Sequence, residues 1–391
     1  MIRRLFWGAL LAAAPLAAGM AVRSDFEGGS IGRVQVAGPR HLICSVKGEV
    51  DHEKRNRQAS WYYFRIDGAP RKEVVVDLTD LPGEYNYLPG NLAINGRTRP
   101  FVSYDRRVWI PLPDSAVEWD ASLPRLRFHF TPERSPVWIA HVPPYTTQDL
   151  ARLLDHVKLD QGKKAPRAVV RSVGKSAGGR DLYLLTITNR TVPDGKKRVL
   201  WLMARQHAWE SGTSWLVEGA VRWLLRDDPD AARLRDAFLF QFFPMADPDG
   251  VARGGVRFNA HGYDVNRNWD VADPQLMPEI AALRRTVLEW VDASHPIDLF
   301  LSLHNDNQDY LQGPLSAAGP AYRSLIGRFA ALLAKETIFE GKAPRDWPKG
   351  EIPRGRKDAC QGLFADRGIA TLLLEQSVQT NSRLGHPPGV K

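Results

Sequence analysis

An imidazole and a carboxylate three residues apart, His207 and Glu210, follow directly on the apolar run 199–204. Imidazole nitrogen and carboxylate oxygen are standard ligands of zinc, and a catalytic zinc takes three protein ligands and keeps one position open. A spacing of three lets both side chains converge on one point if the chain turns after the strand. Spacing alone is weak: with ten His and 44 acidic residues among 391, about one such pair arises by chance. Three further apolar runs add weight, because each stops at a residue of the right kind. The run 238–243 leads to Asp247-Pro248-Asp249-Gly250, the run 298–303 leads directly to His304, and the run 369–374 leads directly to Glu375. A carboxylate straight after Leu372-Leu373-Leu374 needs a partner or a metal, since an isolated buried charge is costly. In open α/β sheets the site lies beyond the carboxyl ends of the strands. One sheet edge therefore gathers two His, two Glu and a polar loop, which describes a zinc site with one carboxylate left over as a base.

A second set of residues could recognise a substrate. Asn266-Arg267 pairs an amide with a guanidinium fork, the geometry that suits a carboxylate. Arg257 offers a further cation for an oxygen that becomes negative during reaction. A solvated, glycine-rich loop carrying arginines is the competing reading of 249–257, and the sequence leaves it open.

The elements that must position these residues begin after Pro143-Pro144. Thr146 or Thr147 can cap a helix running to about Val157, with Leu150, Leu153, Leu154 and Val157 on one face. Strands at 168–173 and 182–188 flank a turn-rich loop, and a helix at 215–225 follows the ligand pair. Strand and helix patterns then alternate, which indicates an α/β fold. Upstream, from about 25 to 142, the chain reads as all-β. Trp61-Tyr62-Tyr63-Phe64, Val74-Val75-Val76, the alternating Leu126-Arg127-Phe128-His129-Phe130 and the run 137–142 are separated by turns such as Pro82-Gly83 and Asn95-Gly96. That spacing suggests a sandwich. His41, His52, His129 and His141 are scattered through it and read as structural or surface residues.

A length of 391 predicts two or three domains, and 43% hydrophobic with 25% charged residues is ordinary for a globular protein. The net charge of +9 suits a basic exterior or acidic substrates, and no basic block or nucleic-acid motif points to DNA or RNA. Cys44 and Cys360 are expected to be buried free thiols, not a bridge. Residues 1–21 read as an export signal: Arg3 and Arg4, an apolar core over 5–18, and small residues at 17–21 for cleavage. The expectation is a periplasmic or extracellular protein with no stable membrane insertion after cleavage. Its parts would be a signal peptide over 1–21, a β-sandwich domain over 22–143 and a catalytic domain over 144–391.

Taken together, the motifs resemble a zinc carboxypeptidase of the M14 type, in its cytosolic-carboxypeptidase-like, deglutamylase-like branch. They are His207-x-x-Glu210, Asp247-Pro248-Asp249-Gly250, Arg257 five before Gly262, Asp264-Val265-Asn266-Arg267-Asn268, and His304 and Glu375 at strand ends. Gly179-Arg180-Asp181-Leu182 is similar to the family's first hairpin, and Phe26-Glu27-Gly28-Gly29 and Trp61-Tyr62-Tyr63-Phe64 to the β-domain of that branch. The resemblance implies a mixed sheet flanked by helices behind an all-β sandwich, and one zinc per chain held by His207, Glu210 and His304. It implies Glu375 as general base, Arg257 as the group facing the oxyanion, and Asn266 with Arg267 as the clamp on the terminal carboxylate of a peptide or protein substrate. Zinc would acidify the attacking water and polarise the scissile carbonyl. The side-chain pocket would draw on the segment Arg354-Gly355-Arg356-Lys357-Asp358-Ala359-Cys360. A cation turned inward favours acidic C-terminal residues, Asp358 turned inward would select Lys or Arg, and a solvated loop would do neither. The family's substrate-capping Tyr has no counterpart between Arg323 and Glu375, and 16 residues follow Glu375 where the family continues into a closing helix. A zinc amidase acting on peptidoglycan peptides or acylated amino acids, and a catalytically silent binding module, are the other readings. Oligomeric state is not legible.

Overall fold

The computed structural model describes residues 19–90, 92–161 and 166–389. Two five-stranded sheets, built from residues 21–140, form the expected β-rich domain. The strands Ala21–Arg23, Tyr63–Asp67, Val137–Ala140, Phe101–Ser103 and Ile110–Pro111 make one sheet, and Val117–Asp120, Arg125–Phe130, Val74–Thr79, His41–Ser45 and Val34–Gly38 make the other. Their inward faces bury Leu42, Cys44, Phe64, Val76, Leu126, Phe128 and Ile139 in one core. Strand Arg125–Phe130 follows the alternation legible in its sequence, with Leu126 and Phe128 inward. A smaller sheet, Glu49–Val50, Arg57–Gln58, Glu84–Tyr85 and Leu88–Pro89, stands off the sandwich.

The remainder is an eight-stranded mixed sheet. Its centre is four parallel strands in the order Phe238–Phe243, Arg198–Met203, Leu299–Asp306 and Thr371–Ser377. The hairpin Ala168–Lys175 and Asp181–Ile187 extends one side antiparallel. Tyr310–Gly313 and Arg345–Asp346 extend the other. Parallel strands are covered on both faces, which is why these read as near-continuous apolar runs. Helices Thr147–Gln161, Ser211–Leu224 and Gly319–Glu336 cover one face through Leu153, Val217 and Ile326. Helices Pro278–Asp292 and Ala359–Arg367 cover the other through Ile280, Leu283 and Leu363.

The helix after the ligand pair starts four residues earlier than its apolar pattern suggests, at Ser211 with Glu210 as its N-cap residue. Its first turn, Ser211-Gly212-Thr213-Ser214, has poor helix propensity. The hydroxyls are instead tied into the fold, Ser211 Oγ to Pro143 O at 2.8 Å, Thr213 Oγ1 to Glu210 O at 2.8 Å and Ser214 Oγ to Pro244 O at 3.0 Å. Cys44 and Cys360 are buried free thiols, as expected. Residues 1–18 of the expected leader lie outside the described residues. Met20 is already buried in the sandwich core and Ala21 pairs with Asp67, so the chain at the expected cleavage point is part of a sheet.

The two parts meet through an aromatic layer in which Trp61, Tyr63 and Trp109 of the sandwich pack with Trp209 and Val256. His141 stacks on Trp209 at 5.6 Å between ring centroids. It is a structural residue, as expected: its Nδ1 bonds Ser60 O at 2.7 Å, and burial lowers its pKa to about 4.

Candidate active site

The turn that brings His207 and Glu210 together begins at Arg205, a non-glycine residue in the left-handed region with φ of 62°. The strained residue is locked by its own buried side chain, whose Nε donates to Ala208 O at 2.8 Å. His207 Nδ1 then lies 2.7 Å from one oxygen of Glu210, and His304 Nδ1, from the next strand, lies 2.9 Å from the other. The three residues are buried, and one potential ligand atom from each falls within 4.8 Å of the others. Burial opposes ionisation of Glu210, but the two imidazoles outweigh it and hold its carboxyl down to about 2.

The far nitrogens test whether this set fits a metal. His207 Nε2 lies 3.1 Å from Asp264 Oδ1, a strong acceptor. His304 Nε2 lies within 3.2 Å of Gln206 Oε1 and 3.1 Å of Ser302 Oγ. Each ring thus has an acceptor for an Nε2–H, which leaves both Nδ1 lone pairs facing the carboxylate, the arrangement a metal-ligating His requires. Burial would raise the Asp264 carboxyl, yet Arg257 and then His207 keep it well below the ordinary carboxylate range.

Glu375 stands beside His304 in parallel register on the neighbouring strand. Its Oε2 is buried and has no hydrogen-bond partner. Burial, and after it the charges of Glu210 and Asp306, push its carboxyl well above the ordinary range. Opposite it in antiparallel register is Tyr310, whose phenol bonds the carboxylate and opposes that rise. Arg345 lies over the Tyr310 ring at 4.2 Å.

Arg257 donates through Nε to Asp264 Oδ2 at 2.6 Å. Arg267 donates to Asn266 O at 2.7 Å. Asn266 is placed differently from a free clamp: its Oδ1 accepts from Ala359 N at 3.0 Å and Gln206 Nε2 at 3.2 Å, and its Nδ2 lies 3.1 Å from His304 Nε2. The polar loop at 247–250 divides into two structural tasks. Asp247 caps the helix Pro248–Arg253 by accepting from Gly250 N at 2.8 Å, while Asp249 holds the first hairpin through Gly178 N and Arg180 Nη1, both at 2.6 Å.

In the segment 354–360, Arg356 reaches Tyr85 Oη at 2.9 Å and Lys357 lies 3.5 Å from Asp270. Asp358 closes a capping box with Gln361 at the start of helix Ala359–Arg367, so its carboxylate is committed to its own helix.

Sequence reasoning gave no role to Gln206, Asp264, Ser302 or Tyr310. Asp264 lay within a quoted motif, and its acidic side chain between Arg257 and a metal-ligand pair was the available signal. Nothing local marks the others.

A family model described as Zinc carboxypeptidase matches residues 157–312, and one described as Cytosolic carboxypeptidase N-terminal domain matches residues 22–142. The chain is similar to the M14 zinc carboxypeptidases in both of its parts. The first match contains the three clustered residues together with Arg257, Asn266 and Arg267. Glu375 lies beyond it, and strand register alone gives its place. Cytosolic carboxypeptidase 2 of Xenopus tropicalis is 28% identical over 81% of this chain, which spans 34% of that protein's length. A metallo-carboxypeptidase from Burkholderia cenocepacia is 25% identical with a TM-score of 0.79, covering 95% of this chain and 94% of that one. A metallo-carboxypeptidase from Pseudomonas aeruginosa, in complex with (2-guanidinoethylmercapto)succinic acid, is 25% identical with a TM-score of 0.71, covering 91% and 89%. Zinc is the metal of the family, and the donor set fits it.

The same comparisons overturn the expected export to the periplasm or outside. The matched N-terminal model and the curated relatives are those of cytosolic carboxypeptidases, which points away from a signal peptide over 1–21. That expectation rested on composition, and two arginines before a short apolar run with small residues is a pattern that carries no contact or register information. Among the described residues, no helix is long and apolar enough to cross a membrane.

Proposed function

We propose that this chain is a zinc metallocarboxypeptidase that hydrolyses the C-terminal peptide bond of peptides or proteins. The reading is carried by one observation: a buried His-Glu-His set with Glu375 beside His304 in strand register. The roles are those the family resemblance implies, and the geometry supports them. His207, Glu210 and His304 hold the zinc, which when bound supplies Lewis acidity towards water and the scissile carbonyl. Glu375 accepts the proton of the attacking water and returns it to the leaving amine. Arg257, fixed by Asp264, faces the oxygen on which charge develops. Arg267 grips the terminal carboxylate, its guanidinium donating also to the Asn266 carbonyl. In this reading 22–143 is a β-domain and 144–391 the catalytic domain.

We further propose a preference for acidic C-terminal residues. The excess of positive charge supports it, and Asp358, which closes a capping box on its own helix, is unsuited to select Lys or Arg. The test is to incubate zinc-loaded protein with a mixed peptide library and read by mass spectrometry which residues disappear and from which end. The activity requires loss from C-termini only. Comparing kcat/KM on peptides that differ in a final Glu, Lys or Phe tests the preference, and a higher value for Lys or Phe would remove it.

A further inference from the structure

The four-stranded side sheet of the β-domain sends one side chain into the catalytic loop. Glu49 Oε2 accepts from three successive backbone amides, Val256 N at 2.9 Å, Arg257 N at 2.6 Å and Phe258 N at 2.9 Å. Successive N–H groups converging on one point form an anion nest, and here the anion is a carboxylate from a strand more than 200 residues earlier in the chain. Its other oxygen accepts from Arg253 Nη2 at 2.7 Å, and the same guanidinium nitrogen bonds Phe258 O. The approach is close: a Cβ at Gly255 would lie 2.8 Å from Glu49 Oε1.

Three residues on, the same segment grips the far end of the loop. His52 N donates to Gly262 O at 3.1 Å, and the His52 ring stacks on Tyr263 with centroids 4.0 Å apart. The turn 51–56 that carries His52 is closed by Asp51, which accepts from Arg55 N at 2.8 Å and from Asn56 Nδ2 at 2.6 Å. Segment 49–52 therefore clips 256–263 at both ends. Arg257 leaves this clipped stretch with its backbone N–H on Glu49 and its Nε on Asp264.

We propose that Glu49 is a positioning residue for the hydrolysis: by filling the amide nest it fixes the backbone from which Arg257 reaches the developing oxyanion. The proposal rests on the function proposed above. It makes the β-domain part of the catalytic apparatus.

The test is a double-mutant cycle on the full chain, with Glu49→Ala and Glu49→Gln each made in wild-type and Arg257→Ala backgrounds. Zinc content and melting temperature serve as folding controls, and amide hydrogen exchange is followed over the peptide containing 256–258. The expected loss in kcat for Glu49→Ala is about 10²-fold in the wild-type background, the cost of misplacing a reacting group by about 1 Å. KM should be little changed, because Arg257 acts on the transition state. In the Arg257→Ala background the further loss should be no more than about 2-fold, since the two changes share one mechanism. Equal losses in both backgrounds, or an effect confined to KM, would overturn the proposal. If Glu49→Ala does not fold, Glu49→Gln carries the cycle. If wild type releases no C-terminal residue, the function reading fails on its own and exchange decides the clip: faster exchange at 256–258 in Glu49→Gln upholds it and unchanged exchange overturns it.

Discussion

His304 and Glu375 are register partners on adjacent parallel strands, so the most buried ligand candidate and the candidate base leave the sheet edge side by side. Residues paired in this way share a sheet face. The separation of the two groups is therefore set by the sheet spacing and not by a loop, which is the rigid support that a hydrolytic site needs.

The first prediction concerns metal content. Protein purified without chelator should carry one zinc per chain by elemental analysis. His304→Ala should lose most of it, because two remaining protein ligands make a poor site. Near-normal zinc in that variant would remove His304 from the set.

Glu375→Gln should keep both zinc and fold, since the residue is not a ligand and its buried oxygen lacks a partner to lose. Its kcat should fall by about 10²–10⁴-fold, the range for a positioned acid–base group. Full turnover in the variant would rule Glu375 out as the base.

Asp264 joins the metal set to Arg257, with one oxygen 3.1 Å from His207 Nε2 and the other 2.6 Å from Arg257 Nε. Asp264→Asn should weaken zinc binding by about 10–100-fold in a competitive chelator titration. It should also depress kcat at saturating zinc. Unaltered zinc affinity would show that the bond to His207 does not orient the ligand.

Asp247 predicts a pH dependence of stability away from the metal set. Its carboxyl is fully buried, Oδ2 has no hydrogen-bond partner, and burial raises its pKa from 3.8 to about 8. Between these values the folded state holds a proton that the unfolded state has released, so stability falls as pH rises, and the loss is complete above the folded pKa. The slope is at most about 1.4 kcal/mol per pH unit for one group. Asp247→Asn should flatten the difference between denaturation midpoints at pH 5.5 and 8.5. An unchanged difference would mean that Asp247 is ionised in the folded protein.

Most of the site was legible because it is built from residues at strand ends. Runs such as 299–303 and 369–374 announce buried parallel strands, and the polar residue that terminates each run must lie on the shared carboxyl edge. Helix starts were less legible. The turn Ser211-Gly212-Thr213-Ser214 is helical because Pro143 and Pro244 supply hydrogen-bond acceptors for its hydroxyls, and no local pattern records that. The export expected from residues 1–21 was drawn from composition without periodicity, and the comparisons reversed it.

By itself the sequence determined the two-part architecture, the identities of His207, Glu210, His304 and Glu375, and their place along one sheet edge, because hydrophobic periodicity and strand termination are local properties of the chain. Only the tertiary structure decided what each polar group touches. Asn266 turned out to accept from Gln206 and the Ala359 amide, Asp358 to cap its own helix, and Glu49 to hold the loop of Arg257 from the β-rich part of the chain. Hydrogen-bond partners more than 200 residues apart depend on how the two parts dock, and neither spacing nor composition encodes that geometry.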